Sequence, residues 1–224
     1  MTPSEHPLRR RDRATGAELR AALLAEARRV IQEGGVHALS TRRIAEAVGC
    51  TATSIYLYFE SKDALLHAVI DEGVQALHTR LAAARAPHGE RPAEPAAALE
   101  ALARAYVEFG LEQPTLYEVM FMLHPRHMER YPAEAYRRAR ANIELLAETL
   151  GAGCGARGGP ATAADLARAS NIWALLHGHI ALWIAGRVDA AIPREAFIAG
   201  ALALVRSAHR DHSHAHRQDL EQGP

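Results

Sequence analysis

TRRIAEAVGCTATSIYLYFESK, residues Thr41 to Lys62, reads as two short helices around a glycine turn. In the first, Thr41 to Val48, the apolar residues Ile44, Ala45 and Val48 recur at helical spacing. Gly49-Cys50-Thr51 supplies the turn, with Cys50 as a small core residue. The second helix is expected over Ala52 to Phe59, burying Ile55 and Phe59 four residues apart. Its outer face then carries Thr53, Ser54, Tyr56, Leu57 and Tyr58. A solvated helix would more often show Glu, Lys and Gln there. Hydroxyls and tyrosines on a short helix reach phosphates and base edges, so this face suits DNA. Leu57 alone fits either a core position or that face.

Outward from this stretch the pattern stays helical. Residues 1–14 form a flexible basic arm containing Arg9, Arg10 and Arg11. Thr15 and Glu18 make a capping-box pair that starts a helix to about Glu33. Leu19, Leu23, Val30 and Ile31 are its buried face, and Gly34-Gly35 ends it. Ser61 is the expected N-cap of a fourth helix, Lys62 to about Ala84, with a stripe of Leu65, Leu66, Val69, Ile70 and Leu77. A Pro-rich loop spans residues 84–95. Further helices are expected over Ala96–Glu112, Thr115–Leu123, Ala133–Leu150, Thr162 to about Ala185, and Arg194 to about Ala208. No strand alternation or internal repeat is visible, so the fold class is all-α with about nine helices. The tail, residues 209–224, holds His209, His212, His214 and His216 and is expected to be disordered.

The motifs Thr41–Gly49, Ser54-Ile55-Tyr56, Tyr58-Phe59 and Ser61-Lys62-Asp63-Ala64-Leu65-Leu66, in that order, resemble the TetR (tetracycline-repressor-like) family of bacterial transcription regulators. Trp173, His177 and Gly178, within NIWALLHG, resemble the Trp-x-x-x-His-Gly signature of one class of C-terminal domain in that family. The resemblance implies a helix-turn-helix DNA-binding domain over residues 15–62 and a connecting helix over 63–84. A helical effector-binding and dimerisation domain follows over 85–208. It further implies that Thr41 and Arg42 lie near phosphate, that Thr53, Ser54, Tyr56, Leu57 and Tyr58 face the major groove or its walls, and that Lys62 meets a phosphate from the start of the fourth helix. Two residues depart from the family pattern. Ala52 stands where a long polar or basic residue is frequent, and Leu57 where a polar or aromatic one is common; both shift base reading toward apolar contact with thymine methyls.

Composition narrows the alternatives. The 224 residues suffice for a sizeable core, and the net charge is zero with His neutral. Residues 1–62 carry ten Arg or Lys against seven Asp or Glu, a polarisation too weak to argue DNA binding by itself. No apolar run is long enough to span a membrane and no signal peptide is evident, so a cytoplasmic location is expected. Two cysteines, Cys50 and Cys154, make no disulfide framework. There is no phosphate-binding glycine loop, zinc-spaced cluster or nucleophile elbow; neither catalysis nor a cofactor or metal is expected.

For the effector domain, Tyr106, Phe109, Tyr117, Met120, Phe121 and His124 are candidates to line a cavity, with plain core packing as the alternative. Trp173 and His177, one helical turn apart, would add an apolar wall and a polar handle. His179 points elsewhere, which argues against a metal pair with His177, and Gly178 reads as a site of close helix approach. The last two helices, with Trp183 and Phe197, are the expected dimer faces. The function the resemblance implies is a homodimeric repressor on a palindromic double-stranded operator, released by a largely apolar small molecule. The alternative is a constitutive dimeric DNA binder whose second domain serves only dimerisation or protein interaction.

Overall fold

The computed structural model describes residues 16–85, 94–152 and 161–221. Thr15, Arg9, Arg10, Arg11, Cys154 and residues 86–93 of the Pro-rich loop lie outside them. Among the described residues the regular elements are nine α-helices and two 3-10 turns, and the chain divides into two compact units between Val69 and Ile70. The division falls inside one helix, α4 (Lys62–Arg85).

The first unit is built on α1 (Gly16–Gly34), α2 (Thr41–Val48) and α3 (Ala52–Ile55). Helix α1 buries Leu23, Leu24, Ala27, Val30 and Ile31; Leu19, expected in that set, is only half-buried. Gly35 leaves the helix at φ 70°, and a 3-10 turn, Val36–Ala38, leads to α2. Helix α2 ends in a Schellman motif: Cys50 N donates to Ala45 O at 2.9 Å and Gly49 N to Glu46 O at 3.2 Å. Gly49 sits at φ 81°, a conformation an L side chain resists, so glycine is required there. Ile44, Ala45, Ile55 and Phe59 complete the core, and the Arg20 guanidinium lies over the Phe59 ring at 5.0 Å.

One expectation is corrected in α3. The α-helix stops at Ile55 and does not reach Phe59. Beyond it, Tyr56 N, Leu57 N and Tyr58 N bond to carbonyls only three residues back, at 3.2, 3.3 and 2.9 Å. The run from Ile55 to Phe59 is branched or aromatic throughout, which favours a tight 3-10-like turn over a continued α-helix.

The second unit holds the rest of α4 with α5 (Pro95–Glu112), α6 (Pro114–Phe121), α7 (Ala133–Ala152), α8 (Ala163–Ile184) and α9 (Arg194–Glu221). Prolines at N1 start α5 and α6, where the missing N–H costs nothing. A reciprocal capping box starts α8: Asp165 N donates to Thr162 Oγ1, and Thr162 N to Asp165 Oδ2. Helix α5 packs against α7, α8 and α9. Ion pairs fasten the bundle between helices: Arg138 forks onto Asp71 at 2.7 and 2.8 Å, and Arg80 bonds Glu112 at 2.6 Å. That bond to Arg80 holds the Glu112 carboxyl below its ordinary range.

Helix α9 corrects a second expectation. It runs through His209 to Glu221, so the tail is not set off at residue 209. The reason is visible in the chain itself: no Gly or Pro interrupts residues 201–221. No helix among the described residues is long and apolar enough to cross a membrane.

Gly110 on α5 is a point of close approach. A Cβ added there would meet Ile180 Cγ2 at 2.6 Å and Tyr117 Cδ2 at 3.1 Å. Overpacking of this kind costs ~1–3 kcal/mol, partly offset by about 1 kcal/mol of better helix propensity. Gly110→Ala is therefore expected to lower unfolding free energy on the order of 1 kcal/mol, measured by urea denaturation; an unchanged midpoint would contradict this packing.

Candidate functional site

In the first unit the expected reading face separates into exposed and engaged side chains. Tyr56 is 51% and Leu57 80% exposed, so Leu57 is not a core residue. Thr53 is also exposed. Ser54 is half-buried, and its hydroxyl bonds Thr51 Oγ1 at 2.8 Å while its N–H donates to the same oxygen, capping α3. Tyr58 is half-buried and lies against the start of α1: a Cβ on Gly16 would sit 3.5 Å from its hydroxyl. Ala52 is half-buried.

The basic residues stand on α2 and at the start of α4. Thr41 is the first residue of α2, and Arg42 projects into solvent, touching Glu46 at 3.1 Å in an exposed ion pair of little energetic weight. Lys62 is exposed at the first position of α4. Ser61 caps that helix, its Oγ accepting from Ala64 N at 3.0 Å.

The second unit encloses a cavity of about 690 Å³. Its wall is mostly apolar. Helix α4 contributes Ile70, Val74, Leu77 and Leu81, and α5 contributes Leu102 and Tyr106. Met120 and Phe121 come from α6, Trp173 and Leu176 from α8, and Tyr136, Asn142, Ile143 and Leu146 from α7. Four of the eight side chains weighed for a pocket, Tyr106, Met120, Phe121 and Trp173, line it. Phe109, Tyr117 and His177 do not. Phe109 and Tyr117 are 2% and 0% exposed, spent on packing the bundle. His124 is exposed and accepts a hydrogen bond from Arg126 N at 3.2 Å.

Sequence reasoning missed the α7 wall. The charged residues of that helix, Arg137, Arg138 and Arg140, draw attention away from Tyr136, Asn142, Ile143 and Leu146, although their spacing is helical. Tyr131, beside the cavity, stacks edge-on to Tyr136 at 4.8 Å; burial pushes its hydroxyl up to about 12.

His177 is tied to the cavity wall through two phenols. Trp173 Nε1 donates to Tyr106 Oη at 2.8 Å, Tyr106 Oη lies 2.7 Å from Tyr117 Oη, and Tyr117 Oη lies 2.7 Å from His177 Nδ1. The chain joins α5, α6 and α8, and the His177 ring stacks on Tyr117 at 5.6 Å. Burial holds both phenols above the usual tyrosine range and pulls His177 below the usual histidine value. The phenols stay protonated and the imidazole neutral at pH 7.

On α8 and α9 the two expected interface residues differ: Phe197 is buried and Trp183 half-buried. Phe197 is only 9% exposed and packs on Trp183 at 4.9 Å and His179 at 5.0 Å within its own chain. The exposed apolar side chains here are Leu182 at 53% and Leu204 at 45%, beside the exposed small residues Ala174, Ala196, Gly200 and Ala203. Gly178 is not a close contact inside the chain: a Cβ there, or at Gly200, would meet nothing within 4 Å.

Residues 23–69 match the model described as bacterial regulatory proteins, tetR family, and residues 99–215 match the tetracyclin repressor-like C-terminal domain. The chain belongs to the TetR family, and its first unit is the helix-turn-helix DNA-binding head of such a regulator. A protein of unknown function from Rhodococcus sp. RHA1 is 26% identical, with a TM-score of 0.69 over 84% of this chain and 93% of that one. A TetR-like transcriptional regulator from the same organism shares the fold at 20% identity and TM-score 0.59, covering 88% of this chain and 97% of its own. The TetR family regulator PfmR from Thermus thermophilus does so at 20% identity and TM-score 0.53, covering 84% and 94%. No curated protein matches the chain.

Because burial lowers the affinity of His177 for a proton, the unfolded chain binds that proton more readily than the folded one. Its effect on stability is therefore absent above the ordinary histidine value of 6.5 and destabilising as pH falls through it. His177→Gln, which keeps a hydrogen-bond acceptor, should flatten the loss of stability between pH 7.5 and 5.5. Denaturation curves at those two pH values check this, and identical pH slopes in both proteins would contradict it.

Proposed function

We propose that this chain is a homodimeric repressor that binds a palindromic operator and is released from it by an uncharged, largely apolar small molecule. The observation that carries the ligand half of this reading is the apolar cavity of about 690 Å³, a size and lining suited to a small organic molecule. Helix α4 carries residues of both units: Lys62 stands at its start, and Ile70, Val74, Leu77 and Leu81 form cavity wall further along the sequence. A ligand that prefers one position of α4 shifts the spacing of two heads, and it acts only through that preference.

In the head, Arg42, Thr41 and Lys62 anchor phosphates, and Lys62 adds its charge to the dipole at the start of α4. Thr53, Tyr56 and Leu57 carry base reading, with Leu57 against thymine methyls. Ser54 and Tyr58 contribute from the flanks, since their side chains are partly engaged within the head. One head of this size reads few base pairs; a two-fold pair reads a palindrome. The dimer forms through α8 and α9, where Leu182, Leu204 and the unfilled spaces over Gly178 and Gly200 offer an apolar, closely approachable face. Such a regulator works in the cytoplasm, beside its DNA.

Gel shifts on DNA flanking its own gene test the reading. Arg42→Ala should weaken specific and random DNA alike and reduce the salt slope by about 1, while Tyr56→Ala should cost ~1–3 kcal/mol at specific sites and less elsewhere. Equal losses at both kinds of site in the two variants would overturn these roles. Leu182→Glu and Leu204→Glu should each yield a folded monomer in analytical ultracentrifugation; a dimer persisting in both rejects this interface. If a chemically varied thermal-shift screen finds no stabilising compound, the constitutive-binder alternative takes its place.

A further inference from the structure

The hydrogen-bond chain behind the cavity wall has a direction, and the direction specifies ligand chemistry. Indole N–H is donor only, so Tyr106 Oη accepts from Trp173 in every state. Each phenol owns one proton. Two arrangements of the remaining bonds are available. In the first, His177 Nδ1 accepts from Tyr117, and Tyr117 accepts from Tyr106. Every proton of the chain is then used, and the Tyr106 oxygen keeps a lone pair. In the second, His177 Nδ1 carries its proton and donates to Tyr117, which donates to Tyr106. The Tyr106 proton is then released without a partner inside the chain.

The surroundings select the first arrangement in the empty protein. Tyr106 shares a mostly apolar wall with a few other polar side chains, Tyr131, Tyr136, Arg140, Asn142 and Ser170; Arg140 is a donor held by Glu144, so a phenol proton aimed there meets few acceptors and costs more than a spare lone pair does. The imidazole is half-buried against Tyr117, Phe121 and Trp173, at ring distances of 5.6, 5.9 and 5.5 Å, which favours the neutral ring; of its two neutral tautomers the first arrangement takes the one with the proton on Nε2. Another polar group on the wall, Asn142, has its Oδ1 taken by His78, accepting from Nδ1 at 2.9 Å.

We propose that Tyr106 Oη presents a hydrogen-bond acceptor to the cavity, set by the Trp173–Tyr106–Tyr117–His177 chain, and that the cavity therefore selects apolar molecules bearing a hydroxyl over the matching ketones. This rests on the cavity being the effector site. A ketone can only accept, so it must either leave the Tyr106 lone pair unmet or force the whole chain to reverse. An alcohol donates to the oxygen as it stands. Tyr117 and His177 act at a distance, as positioning residues that fix which way the Tyr106 proton points.

The test uses the full-length protein and two probes, dodecan-2-ol and dodecan-2-one, with binding read by calorimetry and by tryptophan emission in the Trp183→Phe background, which leaves Trp173 as the emitter. The alcohol should bind about threefold to tenfold more tightly, the worth of one net hydrogen bond. Tyr106→Phe should remove the preference while keeping affinity for both probes. Tyr117→Phe, which frees the Tyr106 proton toward the cavity, should erase or invert the preference, and its circular-dichroism melting curve verifies folding. His177→Gln, able to accept from Tyr117, should retain it. If both probes bind the natural protein equally, the directional chain is refuted and the effector cavity stands. If neither binds, and no other compound does, the effector cavity itself is refuted.

Discussion

A phenol with no exposed surface must have its hydroxyl paired, and Tyr117 is such a phenol. It lies on α6, and its partners are Tyr106 on α5 and His177 on α8. A buried hydroxyl left unpaired costs ~1–3 kcal/mol, so α5, α6 and α8 are fastened at one point in one register. Apolar packing tolerates small slides between helices; a pair of 2.7 Å bonds does not. The cavity exists beside that point. Its α5, α6 and α8 walls are held by the polar chain, while its α4 wall is held from the other side by Arg138 on Asp71 and Arg80 on Glu112.

The head was legible in the sequence because its constraints are local. The Schellman turn at Gly49, the cap at Ser61 and the inward pair Ile55 and Phe59 each depend on residues a few positions apart. The same locality explains the misjudged end of α3. Helical spacing of Ile55 and Phe59 is shared by an α-helix and by a tight turn that returns to the core, and only the backbone geometry separates them. Leu57 was ambiguous for a related reason, since periodicity places a side chain on a face without saying whether anything covers it.

The cavity was half legible. Aromatic residues on α5, α6 and α8 announced a cluster, but whether each lines a void or fills the space behind it depends on contacts 60 or more residues apart, such as Tyr117 with His177. Phe109, a candidate for cavity wall or core, and Phe197, a candidate for the dimer face, are both buried in the structure, because amphipathic stripes do not reveal which neighbour covers them. Gly178 shows the reverse: a glycine that the chain itself leaves uncrowded.

Lys62 has one further consequence. It is the only lysine of the chain, every other fixed cation being arginine, and it stands exposed at the first turn of α4. Guanidinium groups do not react with acylating reagents at neutral pH as ammonium side chains do. Acetylation, or a synthetic amine-directed label, therefore meets a single side-chain amine, and that amine lies in the helix-turn-helix unit. A modification applied without any choice of side chain would act on this protein as a site-specific one, removing one charge at the start of α4.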